Sequence, residues 1–127
     1  AFDKKTGRGL RGANVLLMGA AYKKDVSDIR ESPFFPIAEL LKKRGADIDY
    51  HDPHVEQLTY TRHYPGYGEV KSIDLTAENI ATYDLVIIVT NHSDVDYDFL
   101  AEHAKLIVDT RNIYGDKKID PSKIVKA

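Results

Sequence analysis

The chain contains no cysteine among its 127 residues. This absence excludes disulfide bonds, thiolate metal sites and a cysteine nucleophile, and it is typical of proteins of the reducing cytoplasm, where we expect this protein to act. No apolar run approaches the roughly 20 residues that a membrane span needs. The opening residues, AFDKKTGRGLRG, also lack the apolar stretch of a secretory signal. We therefore expect no membrane-spanning segment.

An excess of charge of one sign is lacking as well. The 18 basic and 20 acidic residues are spread along the chain and leave a formal net charge of -2. Because this balance creates no overall field, we expect neither nucleic acid nor a membrane surface as a partner. Local charge must then provide any specificity. The length and the 43% apolar residues are those of one globular domain with a single core.

Short apolar runs alternate with helical patterns along the chain. Ser32 can cap a helix with Pro33 in its first turn, and Gly45 suits the position after its end. Two shorter helices are predicted, one near Thr76 and Asn79 and one over DVDYDFLAEHA. The predicted strands are NVLLMG, DIDYHDP, YDLVIIVT and, as the last one, KLIVDTR. Such alternation favours parallel βαβ units, and we predict an α/β fold: a Rossmann-like three-layer sandwich with a mainly parallel sheet.

Ligands of parallel sheets bind beyond the carboxyl ends of the strands, so the residues that follow each strand are the candidates. They are Tyr22, Lys23, Asp28 and Arg30 after the first strand, Asp52 after the second, Asn91 and His92 after the third, and Asp109 and Arg111 after the last. Lysine and arginine suit phosphate groups, and a tyrosine can stack on a base, so the set would suit a nucleotide diphosphate.

A simpler interpretation treats the same residues as solvated loop charges. Asp28 then pairs locally with Arg30, and Asp52 with Pro53 forms an ordinary turn. A dinucleotide fingerprint is missing, because Gly19 is followed by Ala-Ala-Tyr instead of the G-x-G-x-x-G pattern. Nothing in the residues therefore indicates an independent NAD site.

Five histidines raise the question of a metal site, and His51, Asp52 and His54 stand closest together. Alternate residues of a strand point to opposite faces, and Pro53 turns the chain, so this spacing does not imply convergence on one ion. We predict no metal site.

Three ordered motifs, GAAYKKDVSDIRESP, YHDPHV and VDTRNIY, closely resemble the carboxyl-terminal domain of the UDP-glucose/GDP-mannose dehydrogenase family. The family pattern there runs G-x-A-[FY]-K, D-x-R-x-S-P and, after the next strand, D-P, and the resemblance extends from Leu10 onward. Family enzymes oxidise C6 of a nucleotide sugar to a carboxylate with two NAD⁺ and a catalytic cysteine. That cysteine and the NAD fingerprint lie in the family's amino-terminal and central regions.

The resemblance therefore implies that residues 13–127 are the UDP-binding domain and that residues 1–12 are a linker from the missing central region. It also implies that the fragment alone is inactive and that the full-length enzyme forms a homodimer or higher homo-oligomer. Tyr22 and Lys23 match the family's aromatic-lysine pair that contacts the UDP-sugar, and Arg111 matches a substrate-contacting arginine. Arg30 matches the arginine that reaches NAD from this domain.

The segment TNHSDVDYDFL, followed by VDTRNIY, is more similar to bacterial enzymes acting on UDP-N-acetyl-hexosamines than to UDP-glucose enzymes, which carry an acidic residue and a tryptophan there. Asn91 and His92 replace that pair, and Asn91 departs from the aspartate-histidine common in the closer enzymes. The resemblance implies a UDP-N-acetylglucosamine 6-dehydrogenase whose product feeds a surface polysaccharide. UDP-glucose and UDP-N-acetylmannosamine 6-dehydrogenases are the alternatives.

A non-catalytic α/β module is the alternative from another class. A phosphoacceptor signalling domain needs clustered acids after its first strand, where this chain has Gly-Ala-Ala-Tyr-Lys. A free-standing interaction domain would instead use Tyr60, Tyr64 and Tyr67 as an exposed patch.

Overall fold

The computed structural model of the chain describes residues 11–59, 64–114 and 123–126. Five parallel strands form one sheet in the order β2-β1-β3-β4-β5. The strands are β1 (Asn14–Met18), β2 (Asp47–His51), β3 (Leu85–Ile88), β4 (Ile107–Asp109) and β5 (Ile124–Lys126). The helices are α1 (Phe34–Lys43), α2 (Ala77–Ala81) and α3 (Tyr97–His103), with a 3-10 turn at Pro65–Tyr67. The predicted Rossmann-like α/β class is confirmed.

Strand β1 lies inside the sheet, between β2 and β3, and four of its five residues are buried. A continuous apolar run is needed there because both faces of the strand are covered. Val15 and Leu17 join one hydrophobic cluster, which includes Phe34 of α1. Leu16 and Met18 join a second cluster, which includes residues of α2 and α3. The two clusters make the three layers of the sandwich.

Helix α1 begins at Phe34, one residue later than a cap at Ser32 would place it, and Pro33 with φ -64° occupies the cap position. The Ser32 hydroxyl still accepts the N–H of Phe34 at 3.1 Å and donates to the carbonyl of Ala21 at 3.2 Å. Ser32 therefore joins the start of the helix to the loop that follows β1. At the other end, Gly45 adopts φ +87°, as predicted for the position after the last turn.

The prediction of the last strand differs from the structure. The segment KLIVDTR is not the last strand, because β5 pairs in parallel with β4, with Ile107 opposite Ile124. A three-residue strand between lysines is too short to show a period of its own. The described part of the loop after β2 holds an antiparallel bridge between Gln57 and Lys71.

The longest helix in the described part of the chain is α1, with 10 residues. Among the described residues, no helix has the length and apolar character to cross a membrane.

Candidate functional site

The sheet order places a topological switch between β1 and β3, where the chain runs to one side through β2 and to the other through β3. Ligands of open α/β sheets bind outside the carboxyl ends of the strands at such a switch. The two strand ends approach each other closely here. Gly19, directly after β1, adopts φ +101°, and a Cβ atom added to it would lie 2.6 Å from Cβ of Thr90. Only glycine fits this position without displacing the exit of β3.

Asp52, which follows β2, is 2% exposed and holds the loop that follows β1. Its Oδ2 accepts the backbone N–H groups of Ala20 at 2.7 Å and Ala21 at 3.0 Å, and its Oδ1 accepts that of His54 at 2.8 Å. These bonds compensate the burial of a carboxylate. Asp52 is therefore more than part of an ordinary turn, since its side chain connects two separate strand ends.

His92, which follows β3, is 1% exposed and contacts the same carboxylate. Its Nδ1 lies 2.8 Å from the backbone nitrogen of Asp25 and must accept that N–H, so Nδ1 carries no proton. The proton of the neutral ring is then on Nε2, which donates to Oδ2 of Asp52 at 2.8 Å. Both ring nitrogens are used within the protein. Sequence reasoning had named His92 as a strand-end candidate without a role, because nothing in the sequence shows that it is buried.

Asp25 adopts a left-handed backbone conformation with φ +61°, which is uncommon for a residue other than glycine. Its carboxylate accepts the backbone N–H of Ser93 at 2.7 Å and the Ser93 hydroxyl at 2.7 Å. The hydrogen bond from the Ser93 backbone, followed by that from its side chain, lowers the pKa of Asp25. The loop after β1 is thus fastened at Ala20 and Ala21 and again at Asp25.

Tyr22, Lys23 and Lys24 lie between these two fastening points and are exposed. Tyr22 is 48% exposed, and its backbone N–H donates to the carbonyl of Asp28. The carbonyl of Ala21 accepts the Thr90 hydroxyl at 2.9 Å, so the exit of β3 also supports this loop. The structure therefore presents the predicted aromatic and cationic side chains to solvent from a backbone that is held in place.

Arg30 forms the local ion pair that the simpler interpretation predicted. Its Nη2 lies 2.8 Å from Oδ2 of Asp28, and its Nε donates to Oδ1 of Asp28 at 3.1 Å. This side-chain hydrogen bonding lowers the pKa of Asp28 to about 2 and raises the pKa of Arg30. The Arg30 side chain stays 86% exposed. It lines an open depression of about 420 Å³ together with Tyr22, Asp28 and Glu31.

Arg111, after β4, is exposed. The Asp109 carboxylate accepts backbone N–H groups from Arg111, Ile113 and Tyr114, each at 3.0 Å. Nε of Arg111 instead donates to the carbonyl of Val89 at the end of β3, at 3.2 Å. This bond brings the guanidinium to the edge of the sheet where β1 and β3 end.

Among the described residues, one group has the composition of a metal site, namely Asp25, His54 and His92, whose ligand atoms lie within 4.8 Å of one another. The rings of His54 and His92 are 4.6 Å apart. Nε2 of His54 lies 3.1 Å from a carboxylate oxygen of Asp94 but is not aligned for a hydrogen bond. An ion bound to His92 would have to displace one of the two hydrogen bonds already made by its ring, so the geometry favours a structural role for this group.

The tyrosine patch predicted for an interaction module is wrong at Tyr67, which is 2% exposed. Its ring packs 5.4 Å from that of Phe35, and Tyr64 stacks on Phe35 at 5.0 Å. Tyr60 lies outside the described residues. The loop after β2 therefore folds its described tyrosines onto helix α1 instead of presenting them to a partner.

A known protein family matches most of the chain. Residues 16–116 match the UDP binding domain of the UDP-glucose/GDP-mannose dehydrogenase family. The chain belongs to this family. The matched region includes the strand-end residues from Tyr22 to Arg111, so the site described above lies within the family's UDP-binding domain.

Individual relatives agree with the family match. The chain is 31% identical over 120 residues to UDP-glucose 6-dehydrogenase of Bacillus subtilis, covering 88% of this chain and 26% of that protein. It is 28% identical over 107 residues to UDP-N-acetyl-D-mannosamine dehydrogenase of Methanococcus vannielii, covering 78% of this chain and 22% of that protein. The chain thus spans about a quarter of the length of the curated relatives it matches.

A solved structure extends the agreement to the fold. The NDP-N-acetyl-D-galactosaminuronic acid dehydrogenase of Methanosarcina mazei superposes with a TM-score of 0.71 at 25% identity. The superposition covers 99% of this chain and 26% of that one. The same arrangement of strands and helices therefore occurs as one part of a larger dehydrogenase.

Proposed function

We propose that this chain is the UDP-sugar-binding, carboxyl-terminal part of an NAD-dependent nucleotide-sugar 6-dehydrogenase. The reaction would oxidise the C6 alcohol of the sugar to a carboxylate and reduce two NAD⁺. The observation that carries the proposal is the loop after β1: within the matched family domain, it presents exposed Tyr22 and Lys23 beside the switch point of the sheet. The longer polypeptide would supply the catalytic cysteine and would act as a homodimer or higher homo-oligomer in the cytoplasm.

Each proposed contact follows from the chemistry of its side chain. Lys23 offers a mobile point charge for the pyrophosphate, and Tyr22 offers a ring face and a hydroxyl for the nucleoside. Arg111 offers a planar fork, which suits two oxygens of one phosphate or of the sugar. Its Nε is already directed to the β3 edge by the bond to Val89, so the two terminal nitrogens are the groups proposed to reach the substrate.

Among the described residues, we propose one contact to NAD, which is made by Arg30. In dinucleotide-binding folds, backbone N–H groups at the end of the first strand hold the pyrophosphate, but here those of Ala20 and Ala21 donate to Asp52. NAD, the hydride acceptor, would therefore bind mainly to the rest of the longer polypeptide. Arg30 is the residue proposed to reach it from this domain, and it would have to exchange or share its present partner, Asp28.

We further propose UDP-N-acetylglucosamine as the sugar nucleotide, with UDP-glucose and UDP-N-acetylmannosamine as alternatives. The preference rests on the segment that begins with Thr90, Asn91 and His92, which differs from that of the UDP-glucose enzymes. Of these residues, His92 is buried and bound to Asp52, whereas Asn91 is half-buried. Asn91 is thus the residue of the segment best placed to influence the choice of sugar. The product would be used for a surface polysaccharide.

Calorimetric titration of the 127-residue chain with UDP tests the proposal directly. Lys23→Ala should weaken UDP binding about tenfold, because a charge-assisted bond to phosphate is lost. Lys43→Ala is the matched control, since Lys43 is an exposed lysine in the last turn of α1 and should leave UDP affinity unchanged. Equal affinities for all three proteins would remove Lys23 from the site, and the absence of any UDP binding, also by the longer polypeptide, would overturn the proposed function.

Kinetics of the longer polypeptide separate the two arginines. Arg30→Lys should chiefly raise KM for NAD⁺, and Arg111→Lys should chiefly raise KM for the nucleotide sugar, because lysine cannot replace a two-pronged hydrogen bond. If both substitutions raise the same KM by the same factor, this division of roles is wrong. The isolated chain should produce no NADH with any UDP-sugar, and comparing kcat/KM for the three sugars in the longer enzyme identifies the substrate.

A further inference from the structure

We infer that Asp52 and His92 form a buried positioning pair, which sets the geometry of the Tyr22–Lys23 segment for a nucleoside diphosphate without touching that ligand. This inference rests on the proposed function. Both side chains are at most 2% exposed, and a hydrogen bond of 2.8 Å joins them. They come from the ends of β2 and β3, whereas the segment they hold follows β1. The pair thus acts across three strands.

The pair fastens the loop after β1 on both sides of the Tyr22–Lys23 segment. Asp52 accepts the N–H groups of Ala20 and Ala21, and His92 accepts the N–H of Asp25. The two proposed ligand-binding residues lie between these points. A loop that is free in solution loses backbone freedom when it binds, whereas a loop that is already held does not. The hydrogen bonds of the pair therefore improve affinity by ordering the segment before the ligand arrives.

The conformation of Asp25 supports this interpretation. A left-handed aspartate persists only where its surroundings hold it, and strain of this kind is concentrated at ligand-binding segments. Here the backbone N–H is held by His92, and the carboxylate is held by Ser93 through two bonds of 2.7 Å. His92 is itself supported, because its carbonyl accepts the Tyr97 hydroxyl at 2.8 Å. The backbone on the Asp25 side of the Tyr22–Lys23 segment is thus held by the residues that follow β3.

Two substitutions of His92 separate the two bonds of the ring. In His92→Gln, the amide can replace Nε2 and donate to Asp52, but the acceptor for the Asp25 N–H is lost. In His92→Asn, the shorter amide can accept from Asp25, but the bond to Asp52 is lost. We expect UDP to bind about tenfold more weakly to His92→Gln than to the unmodified chain. The UDP affinity of His92→Asn should lie between these two. Hydrogen exchange of the Asp25 amide should accelerate in His92→Gln and much less in His92→Asn.

A control is needed because both substitutions also lower stability. Leu100→Ala removes a fully buried side chain from the hydrophobic cluster on the face with α2 and α3. It should lower the melting temperature at least as much as either His92 variant while leaving UDP affinity unchanged. Measuring affinity by calorimetry well below all melting temperatures then separates a positioning effect from a general loss of folded protein.

The outcomes distinguish this inference from the proposed function. If the unmodified chain binds UDP and both His92 variants bind it equally well, the positioning role is wrong and the proposed function stands. If affinity falls in Leu100→Ala as much as in His92→Gln, the pair is merely structural. If neither the unmodified chain nor the longer polypeptide binds UDP, the proposed function fails and the ligand-positioning role fails with it.

Discussion

Asp52 and Asp109 are two buried carboxylates that occupy corresponding places in the fold, since each stands at the carboxyl end of a parallel strand. Asp52 is 2% exposed and Asp109 is 1% exposed, and each accepts backbone N–H groups from a loop. The partners of Asp109 lie two, four and five residues farther along the chain. The amides of Ala20 and Ala21 lie 32 and 31 residues before Asp52.

The difference shows that the same side chain can have two structural functions. Asp109 shapes the turn in which it lies. Asp52 connects loops from three strands, directly for β1 and β2 and through His92 for β3. The connection is made only after the chain has closed long loops, so it depends on the whole sheet and not on local preference.

The largest effect should come from Asp52→Ala. The substitution leaves the amides of Ala20 and Ala21 and the donor of His92 without their acceptor in a buried place, so we expect a loss of about 4 kcal/mol in the free energy of unfolding. Urea denaturation measures this loss. Asp52→Asn, which keeps one acceptor oxygen, should be less destabilising than Asp52→Ala. If Asp52→Ala loses no more stability than Asp109→Ala, the distinction between the two carboxylates is wrong.

Gly19→Ala tests how closely the ends of β1 and β3 must approach. The new Cβ would lie 2.6 Å from Cβ of Thr90 at a backbone φ of +101°, so we expect a loss of about 3 kcal/mol. Gly12→Ala is the matched control, because Gly12 also has a positive φ of +77° but no atom of the described residues lies within 4 Å of an added Cβ. Its loss should be about 1 kcal/mol, as expected from the backbone conformation alone. Equal losses in thermal melts would mean that the close approach is not required.

Asp109→Ala should have a smaller and more local effect than Asp52→Ala. Removal of a local cap costs about 1–2 kcal/mol, and two of the three released amides, those of Arg111 and Ile113, are only part-buried and can be solvated. Hydrogen exchange should accelerate at Arg111, Ile113 and Tyr114 and remain unchanged at Ala20 and Ala21. Faster exchange in the loop after β1 would show that Asp109 also acts across strands.

The smallest effect should come from the exposed pair of Asp28 and Arg30. Hydrogen bonding by Arg30 places the folded pKa of Asp28 at about 2, below its ordinary value of 3.8. Because the folded pKa is lowered, the contribution to stability is present above pH 3.8 and is lost as the pH falls toward 2. An NMR titration of the Asp28 carboxyl group should show this pKa in the unmodified chain. In Arg30→Gln, the pKa should return toward its ordinary value, and an unchanged pKa would show that Arg30 is not its cause.

Much of the fold could be predicted from the sequence because its signals are local. The apolar run of β1, the turn at Gly45 and the alternation of strands with helices predict a parallel α/β sheet without any knowledge of contacts. The strand β5 could not be predicted in this way, since its three residues gain their structure from pairing with β4. Tyr67 could not be placed either, because its burial depends on packing against Phe34 and Phe35 of α1.

The candidate site also has a part that local sequence signals predict and a part that depends on long-range contacts. The exposed side chains of Tyr22, Lys23 and Arg111 could be named from their positions after strands and from the family resemblance. The pairing of Arg30 with Asp28 was also foreseeable, since the two residues are two positions apart. The bond between Asp52 and His92 joins residues 40 positions apart, and no pattern in one sequence relates two such residues. Long-range polar contacts are thus the part of the site for which the structure is indispensable.

The carboxylate of Asp52 has a further consequence for molecular recognition. At the first strand end, where related sheet topologies offer bare amides to a bound anion, this protein already contains an anion of its own. A phosphate that approached those amides would meet an occupied site and a like charge. Under the proposed function, an anionic ligand is therefore recognised by long cationic side chains instead of fixed backbone groups, and such side chains can adapt to ligands of different shape while the backbone beneath them stays unchanged.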